Sequence, residues 1–155
     1  MASITCVAIC GGGGKSTLAR KHPTKFVDID VFVWDEINKE YHGELERAVV
    51  AQDTKTIGRL YRKILLSGVE KRFRLCHRPV VLLLHHPEMC GWILGSRCVA
   101  VLRPTLRLHR SSIADRTPEM QAVSTNSWER LCDAEEYACF DDLEARMLRL
   151  VLQIP

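Results

Sequence analysis

Ser3-Ile4-Thr5-Cys6-Val7-Ala8-Ile9-Cys10-Gly11-Gly12-Gly13-Gly14-Lys15-Ser16-Thr17 is the stretch that decides the fold of this chain. Ser3–Ile9 is apolar and β-branched, as a strand covered on both faces should be. Four glycines follow at once, and Lys15 to about Lys21 reads as a short helix that Pro23 ends. A glycine loop between a buried strand and a helix is built for phosphate. Without side chains the backbone can wrap closely around an anion and aim successive N–H groups at it, and the helix N-terminus adds partial positive charge. Gly11, Gly12, Gly13, Gly14, Lys15, Ser16 and Thr17 are therefore the candidate nucleotide-binding residues. Lys15 would bring an ammonium to the outer phosphates, and the Ser16 hydroxyl would ligate Mg²⁺. A merely flexible glycine turn does not account for Gly-Lys-Ser-Thr placed directly after such a strand.

Working outward, strands and helices alternate. Lys25–Ile29 reads as a second short strand. Asp35–Val50 and Thr54–Arg72 read as helices with apolar residues at helical spacing: Ile37, Tyr41, Leu45 and Val49, then Ile57, Leu60, Tyr61, Ile64 and Leu65. Pro79–Leu84 is a continuous buried run, Cys98–Leu102 a further strand, and Tyr137–Phe140 a last short one. Asp142–Gln153 is an amphipathic helix with Leu143, Met147, Leu150 and Val151 inward. Thr105 to Asn126 is polar and arginine-rich, fits neither period, and has the composition of a mobile segment. This alternation predicts an α/β fold with a mostly parallel sheet covered on both faces.

The chain has 155 residues, 46% hydrophobic and 26% charged. That is the size of one ordinary domain with one real core, so a single domain over 1–155 is expected. No apolar run approaches the roughly 20 residues of a membrane span, and no basic segment precedes the first strand as in a signal peptide. The seven cysteines are scattered, without Cys-x-x-Cys, which predicts mostly buried, reduced thiols and a cytoplasmic protein. Cys76, His77, His85, His86 and Cys90 match no compact zinc-ligand spacing. The net charge of +3 conceals structure. Fifteen of the 22 basic residues are arginine; seven basic residues and one acid lie between Arg59 and Arg78, and five arginines and one acid between Arg97 and Arg116. Arginine forks suit phosphate, so a polyanionic ligand and a solvated helix face both fit.

The strand–Gly11-Gly12-Gly13-Gly14-Lys15-Ser16-Thr17–helix order resembles the P-loop nucleoside-triphosphate-binding families. One departure is Ile9, which stands where the family pattern has its first glycine. There is no Asn-Lys-x-Asp guanine-recognition motif, and the Val80–Leu84 strand ends in His85-His86 rather than an acid. The acids stand on the second strand instead, in Phe26-Val27-Asp28-Ile29-Asp30. That placement resembles the small P-loop kinases, the shikimate- and gluconate-kinase-like enzymes and the polynucleotide 5′-kinase and zeta-toxin group. The resemblance implies a three-layer P-loop fold, a mostly parallel five-stranded sheet flanked by helices, with ATP and Mg²⁺. Strand alternation puts Asp28 and Asp30 on one face. The resemblance makes Asp30 the general base or nucleophile-orienting group and Asp28 a metal partner; a strand end meeting solvent is the plain alternative.

Leu106-Arg107-Leu108-His109-Arg110-Ser111-Ser112-Ile113-Ala114-Asp115-Arg116-Thr117-Pro118-Glu119-Met120 resembles the lid of these kinases. The resemblance implies that residues 104–126 close over the transferring phosphoryl group, with Arg110 and Arg116, and Arg107 third, neutralising its growing charge. It also implies that residues 35–78 form the helical insert that holds the acceptor. Trp34, Tyr41, Tyr61, Arg59, Arg62, Arg72 and Arg74 there suit a phosphorylated small molecule, a nucleotide or a nucleic-acid end, although such aromatics also serve as core. His85 could orient water or substrate, or simply pack. The expected activity is transfer of a γ-phosphate from ATP to a hydroxyl acceptor by Lys15, Asp30, Arg110 and Arg116. Two other readings stay open. One is a nucleotide-binding or structural domain without turnover, for example within a larger assembly, a viral one included; the other is a nucleic-acid-associated NTPase. The sequence does not determine the oligomeric state.

Overall fold

The computed structural model describes residues 4–73, 80–93 and 95–155, with side chains of 69–73 left aside. The expected alternation is present, and the five strands are all parallel rather than mostly so. They are β1 (Ile4–Ile9), β2 (Phe26–Asp28), β3 (Val81–Leu84), β4 (Ser96–Pro104) and β5 (Glu135–Tyr137), in the order β2-β3-β1-β4-β5. The helices are α1 (Lys15–Lys21), α2 (Ile29–Val33), α3 (Lys39–Val50), α4 (Thr54–Phe73), α5 (Leu106–Ile113), α6 (Pro118–Glu129) and α7 (Phe140–Leu152).

Period-two alternation in the central strands builds two cores. Cys6, Leu82 and Leu84 face one side of the sheet and pack with Ile29, Phe32, Leu45, Leu60 and Ile64 from α2, α3 and α4. Val7, Ile9, Val81 and Leu83 face the other and pack with Leu18 of α1 and Leu143 and Met147 of α7. A central strand buried on both sides reads as an unbroken apolar run, which is why β1 and β3 are so legible.

Several boundaries differ from the sequence expectation, each for a local reason. The strand expected over Lys25–Ile29 stops at Asp28, because the Asp28 carboxylate accepts from the Asp30 N–H at 3.0 Å and starts α2. Asp28 and Asp30 therefore do not alternate along one strand: one ends β2 and the other stands in the first turn of a helix. The helix expected over Asp35–Val50 begins as a 3₁₀ turn, Glu36–Asn38, capped by Asp35, and leaves Ile37 exposed rather than inward. Residues Thr105 to Asn126 are the helices α5 and α6. Thr105 accepts from the Leu108 N–H and Thr117 from the Met120 N–H, with Pro118 in the first turn. At the end of the chain β5 lies two residues earlier than expected, and Phe140 already opens α7.

The six cysteines among the described residues are free: Cys6, Cys10 and Cys90 are buried, Cys98 half-buried, and Cys132 and Cys139 exposed. Cys76, His77, Arg74 and Arg78 lie outside the described residues, as does the side chain of Arg72. Among the described residues no helix is long and apolar enough to cross a membrane, and no group of three or more His, Cys, Asp or Glu could hold a metal.

Candidate active site

The carboxyl ends of parallel strands are where open α/β sheets bind ligands, and here they converge on the glycine loop. After β1, Cys10 to Gly13 forms a turn closed by the Gly13 N–H donating to the Cys10 carbonyl at 3.0 Å. Gly12 has φ +77° and Gly14, the N-cap of α1, φ +95°, which is the left-handed region that glycine enters without a Cβ penalty. A Cβ on Gly12 would stand 2.4 Å from Ile113 Cγ2 of α5. Gly12→Ala is accordingly expected to lower stability by roughly 1–3 kcal/mol, read as a shifted urea midpoint; an unchanged midpoint would refute this account of the turn.

Ile9, the departure from the P-loop pattern, is fully buried in the core beside α7. Gly13 accommodates it, since a Cβ there would meet Ile9 Cγ2 at 2.5 Å and the Tyr137 hydroxyl at 2.9 Å. The Tyr137 hydroxyl donates to the Gly13 carbonyl. The loop is also held from α5 and α6: the Gly11 N–H donates to Ser127 Oγ of α6 at 3.2 Å, and its carbonyl accepts from His109 Nε2 of α5 at 2.9 Å. Burial lowers the His109 pKa, which keeps the ring neutral and makes Nε2–H the donor to that carbonyl. Nothing in their sequence spacing marks His109, Ser127 or Tyr137 as loop supports.

Lys15 is 3% exposed, and its Nζ donates to the Ile9 and Cys10 carbonyls at 3.0 and 3.1 Å. The Ser16 hydroxyl donates to Asp28 Oδ2 at 2.7 Å. This pairing of α1 with the end of β2 brings together the two residues expected at a metal. A hydroxyl and a carboxylate are hard oxygen donors, and Mg²⁺ completes its octahedron with waters and phosphate oxygens rather than an all-protein cage, so the residues present fit it.

Asp30 stands at the centre of a network that spacing does not reveal. Its Oδ1 accepts from the Tyr61 hydroxyl of α4 and from His85 Nε2 beyond β3, both at 2.7 Å. Nothing among the described residues hydrogen-bonds Oδ2. The carboxylate side chain is 34% exposed and lines the cleft. Burial pushes the Asp30 carboxyl up, but the charge and hydrogen bond of His85, with Lys15 and Tyr61, outweigh it and hold the group well below the usual carboxylate range. Burial first, and then the neighbouring Asp30 carboxylate, push the Tyr61 hydroxyl well above its ordinary value, so it stays protonated and donates to that carboxylate. Tyr61 packs in the core, as such aromatics do, and both it and His85 also fix the carboxylate.

The arginines divide. Arg116 lines the cleft, with its guanidinium donating to Ser124 Oγ at 2.9 Å. Arg107 and Arg110 are exposed on α5 and are not among the residues lining the cleft. Arg130 reaches Glu88 at 3.6 Å, which joins α6 to the segment after β3. The cleft, about 1070 Å³, runs from the glycine loop past Asp30 to the facing walls of α3 and α4. That exceeds the usual upper end of roughly 1,000 Å³ for a single small-molecule site.

No family model and no curated protein matches the chain. Among solved structures it is similar to a gluconokinase from Sinorhizobium meliloti 1021, with a TM-score of 0.51, 13% identity, and coverage of 98% of this chain and 93% of that one. At that identity the likeness shows the fold: a P-loop kinase fold of five parallel strands flanked by helices.

Proposed function

We propose that this chain is a phosphotransferase that moves the γ-phosphoryl group of ATP to a hydroxyl acceptor, with residues 104–126 as lid and residues 35–78 as acceptor-binding insert. The carrying observation is Asp30. One of its oxygens is fixed by two donors and the other meets no donor among the described residues, two positions from the carboxylate that holds Ser16 of the phosphate loop. A carboxylate held that way can align an acceptor hydroxyl and receive its proton on Oδ2. The acceptor oxygen then bonds to the γ-phosphorus as the bond to the β-phosphate oxygen breaks, and ADP leaves. The transition state of such transfers is loose and asks for positioning and charge rather than a strong base, so a depressed carboxyl suits the role.

Lys15 and the N–H groups at the start of α1 would hold the phosphates, and Arg116 would offset charge developing on the transferring group. Arg110 and Arg107 would join only if α5 turns toward the cleft. Ser16 and Asp28 would hold Mg²⁺, which when bound neutralises phosphate charge. A cleft larger than one ligand needs suits two substrates side by side.

A nucleotide-binding domain without turnover is the second reading, favoured by one observation. The Gly11 and Gly13 N–H groups are already engaged within the protein, which leaves fewer loop amides for phosphate. The readings separate when γ-labelled ATP is incubated with a library of small alcohols and 5′-hydroxyl oligonucleotides. Labelled product is expected. Tight Mg·ATP binding with no product from any acceptor rejects phosphotransfer in favour of binding alone. ATP hydrolysis that appears only with added RNA or DNA, and falls steeply with salt, would instead identify a nucleic-acid-dependent NTPase.

A further inference from the structure

The acceptor end of the cleft carries more than a base. Trp34 lies one turn beyond Asp30, its backbone N–H donating to the Asp30 carbonyl at 2.9 Å, and its ring is tilted against His42 with centroids 5.2 Å apart. The indole lies within reach of the Tyr61 hydroxyl that fixes Asp30, yet 38% of the residue is exposed, on the wall of the cleft. Gly58 sits on α4 one turn before Tyr61 and lines the same cleft. Glycine is the poorest helix former after proline. A Cβ at Gly58 would meet nothing within 4 Å, and its φ is not in the left-handed region. Neither backbone conformation nor packing among the described residues requires a glycine there. What it does is keep the wall beside the base flat.

Val49, Val50, Ile57, Met89 and Trp92 add apolar side chains to the lining. Among the described residues the charges of this end balance or lean negative: Lys55 and Arg130 share the walls with Asp30, Glu46 and Glu88, and Arg130 is paired with Glu88. A polyhydroxy acid would need polar partners for each hydroxyl and a spare cation for its carboxylate. A flat, uncharged ring needs the opposite, an aromatic face and an unobstructed wall.

Resting on the phosphotransfer reading above, we infer that the acceptor is an uncharged alcohol borne on a flat, largely apolar ring, of the nucleoside class, seated between Trp34 and the Gly58 face of α4. Its free hydroxyl meets Asp30 Oδ2 while the ring lies along the indole. Trp34 and Gly58 are then specificity-determining residues: one offers the face, the other the room.

The test measures transfer and binding separately. Initial rates of label transfer are compared for adenosine, guanosine, cytidine, uridine and thymidine against gluconate and shikimate, for the native chain and for Trp34→Ala and Gly58→Leu. Equilibrium dialysis of the same labelled nucleosides is run beside a non-hydrolysable ATP analogue. At least one nucleoside should exceed both acids by about 100-fold in kcat/KM, corresponding to two factors of ten in transition-state discrimination. Gly58→Leu should raise its KM about tenfold or more without lowering the melting temperature. Trp34→Ala should raise KM more than it lowers kcat. Faster transfer to gluconate or shikimate overturns the inference and leaves phosphotransfer standing. No transfer to any acceptor, with nucleoside binding that Gly58→Leu removes, overturns phosphotransfer and keeps the ring slot. Neither transfer nor nucleoside binding overturns the slot itself, and so does a Gly58→Leu chain that handles nucleosides like the native one.

Discussion

Asp30→Asn is expected to slow phosphoryl transfer by about two to four orders of magnitude, the range supplied by a positioned general base. The amide is nearly isosteric, so Tyr61 and His85 can still reach its carbonyl oxygen. What is lost is an unengaged anionic oxygen beside the acceptor hydroxyl. Mg·ATP binding should change far less, because Ser16 is held by Asp28 and not by Asp30. The measurement is single-turnover transfer together with nucleotide affinity on the same preparation. Transfer within threefold of native would remove Asp30 from the chemistry; equal loss of affinity and rate would assign it to nucleotide binding.

The same substitution has a pH signature. The Asp30 carboxyl is held below its ordinary value of 3.8 by its partners, against the opposing pull of burial. A group with a lowered folded-state pKa contributes stability that is present above its unfolded value and is lost as pH falls through the folded one. The native chain should therefore exceed Asp30→Asn in stability from neutrality down to about pH 4, with the gap closing below that. A gap that persists unchanged into stronger acid would mean the carboxylate is not the group responsible.

Which of these features the sequence discloses follows from how local their causes are. Strand β1, the glycine loop and helix α1 depend on neighbouring residues: an apolar run, four residues without side chains, and a polar helix start. They are readable in order. Strand β3 is equally plain, since it is buried on both faces. Helices α5 and α6 are harder, because the arginines and serines of the first and the Ser124-Thr125-Asn126-Ser127 run of the second blur the apolar period; only the threonine caps at Thr105 and Thr117 and the proline at 118 announce them. The environment of Asp30 is of another kind. Tyr61 lies 31 residues away and His85 lies 55 away. Their convergence needs β2, α4 and β3 to be neighbours in space, and pair spacing along the chain carries no trace of that. Gly58 is the intermediate case: a glycine inside a helical period is visible as an oddity, and only the open space above it says what it permits.

Lys15→Met is the second large effect expected, a loss of at least two to three orders of magnitude in transfer, as for removal of a preorganised donor at the reacting oxygens. The ammonium is the one side-chain cation inside the glycine loop, buried and aimed by the Ile9 and Cys10 carbonyls. Those two bonds orient the head without neutralising it, so its charge remains available to an anion in the cleft. Methionine preserves the length of the stem and its packing but supplies neither charge nor donor. It also takes a donor from the Ile9 and Cys10 carbonyls, the second of which keeps the Gly13 N–H, and an unmet buried acceptor costs about 1–3 kcal/mol. Some loss of melting temperature should therefore accompany the loss of rate, and the two must be separated. The separation comes from comparing substitutions under saturating nucleotide. A chain that only binds nucleotide loses affinity with Lys15→Met and nothing with Asp30→Asn. A chain that transfers phosphate loses its rate with both, and Lys15→Met still transfers slowly when ATP saturates, because Lys15 acts on the phosphates while Asp30 acts on the acceptor. If Lys15→Met transfers as fast as the native chain, the loop is not a phosphate site and the assignments of Ser16, Asp28 and Arg116 fall with it.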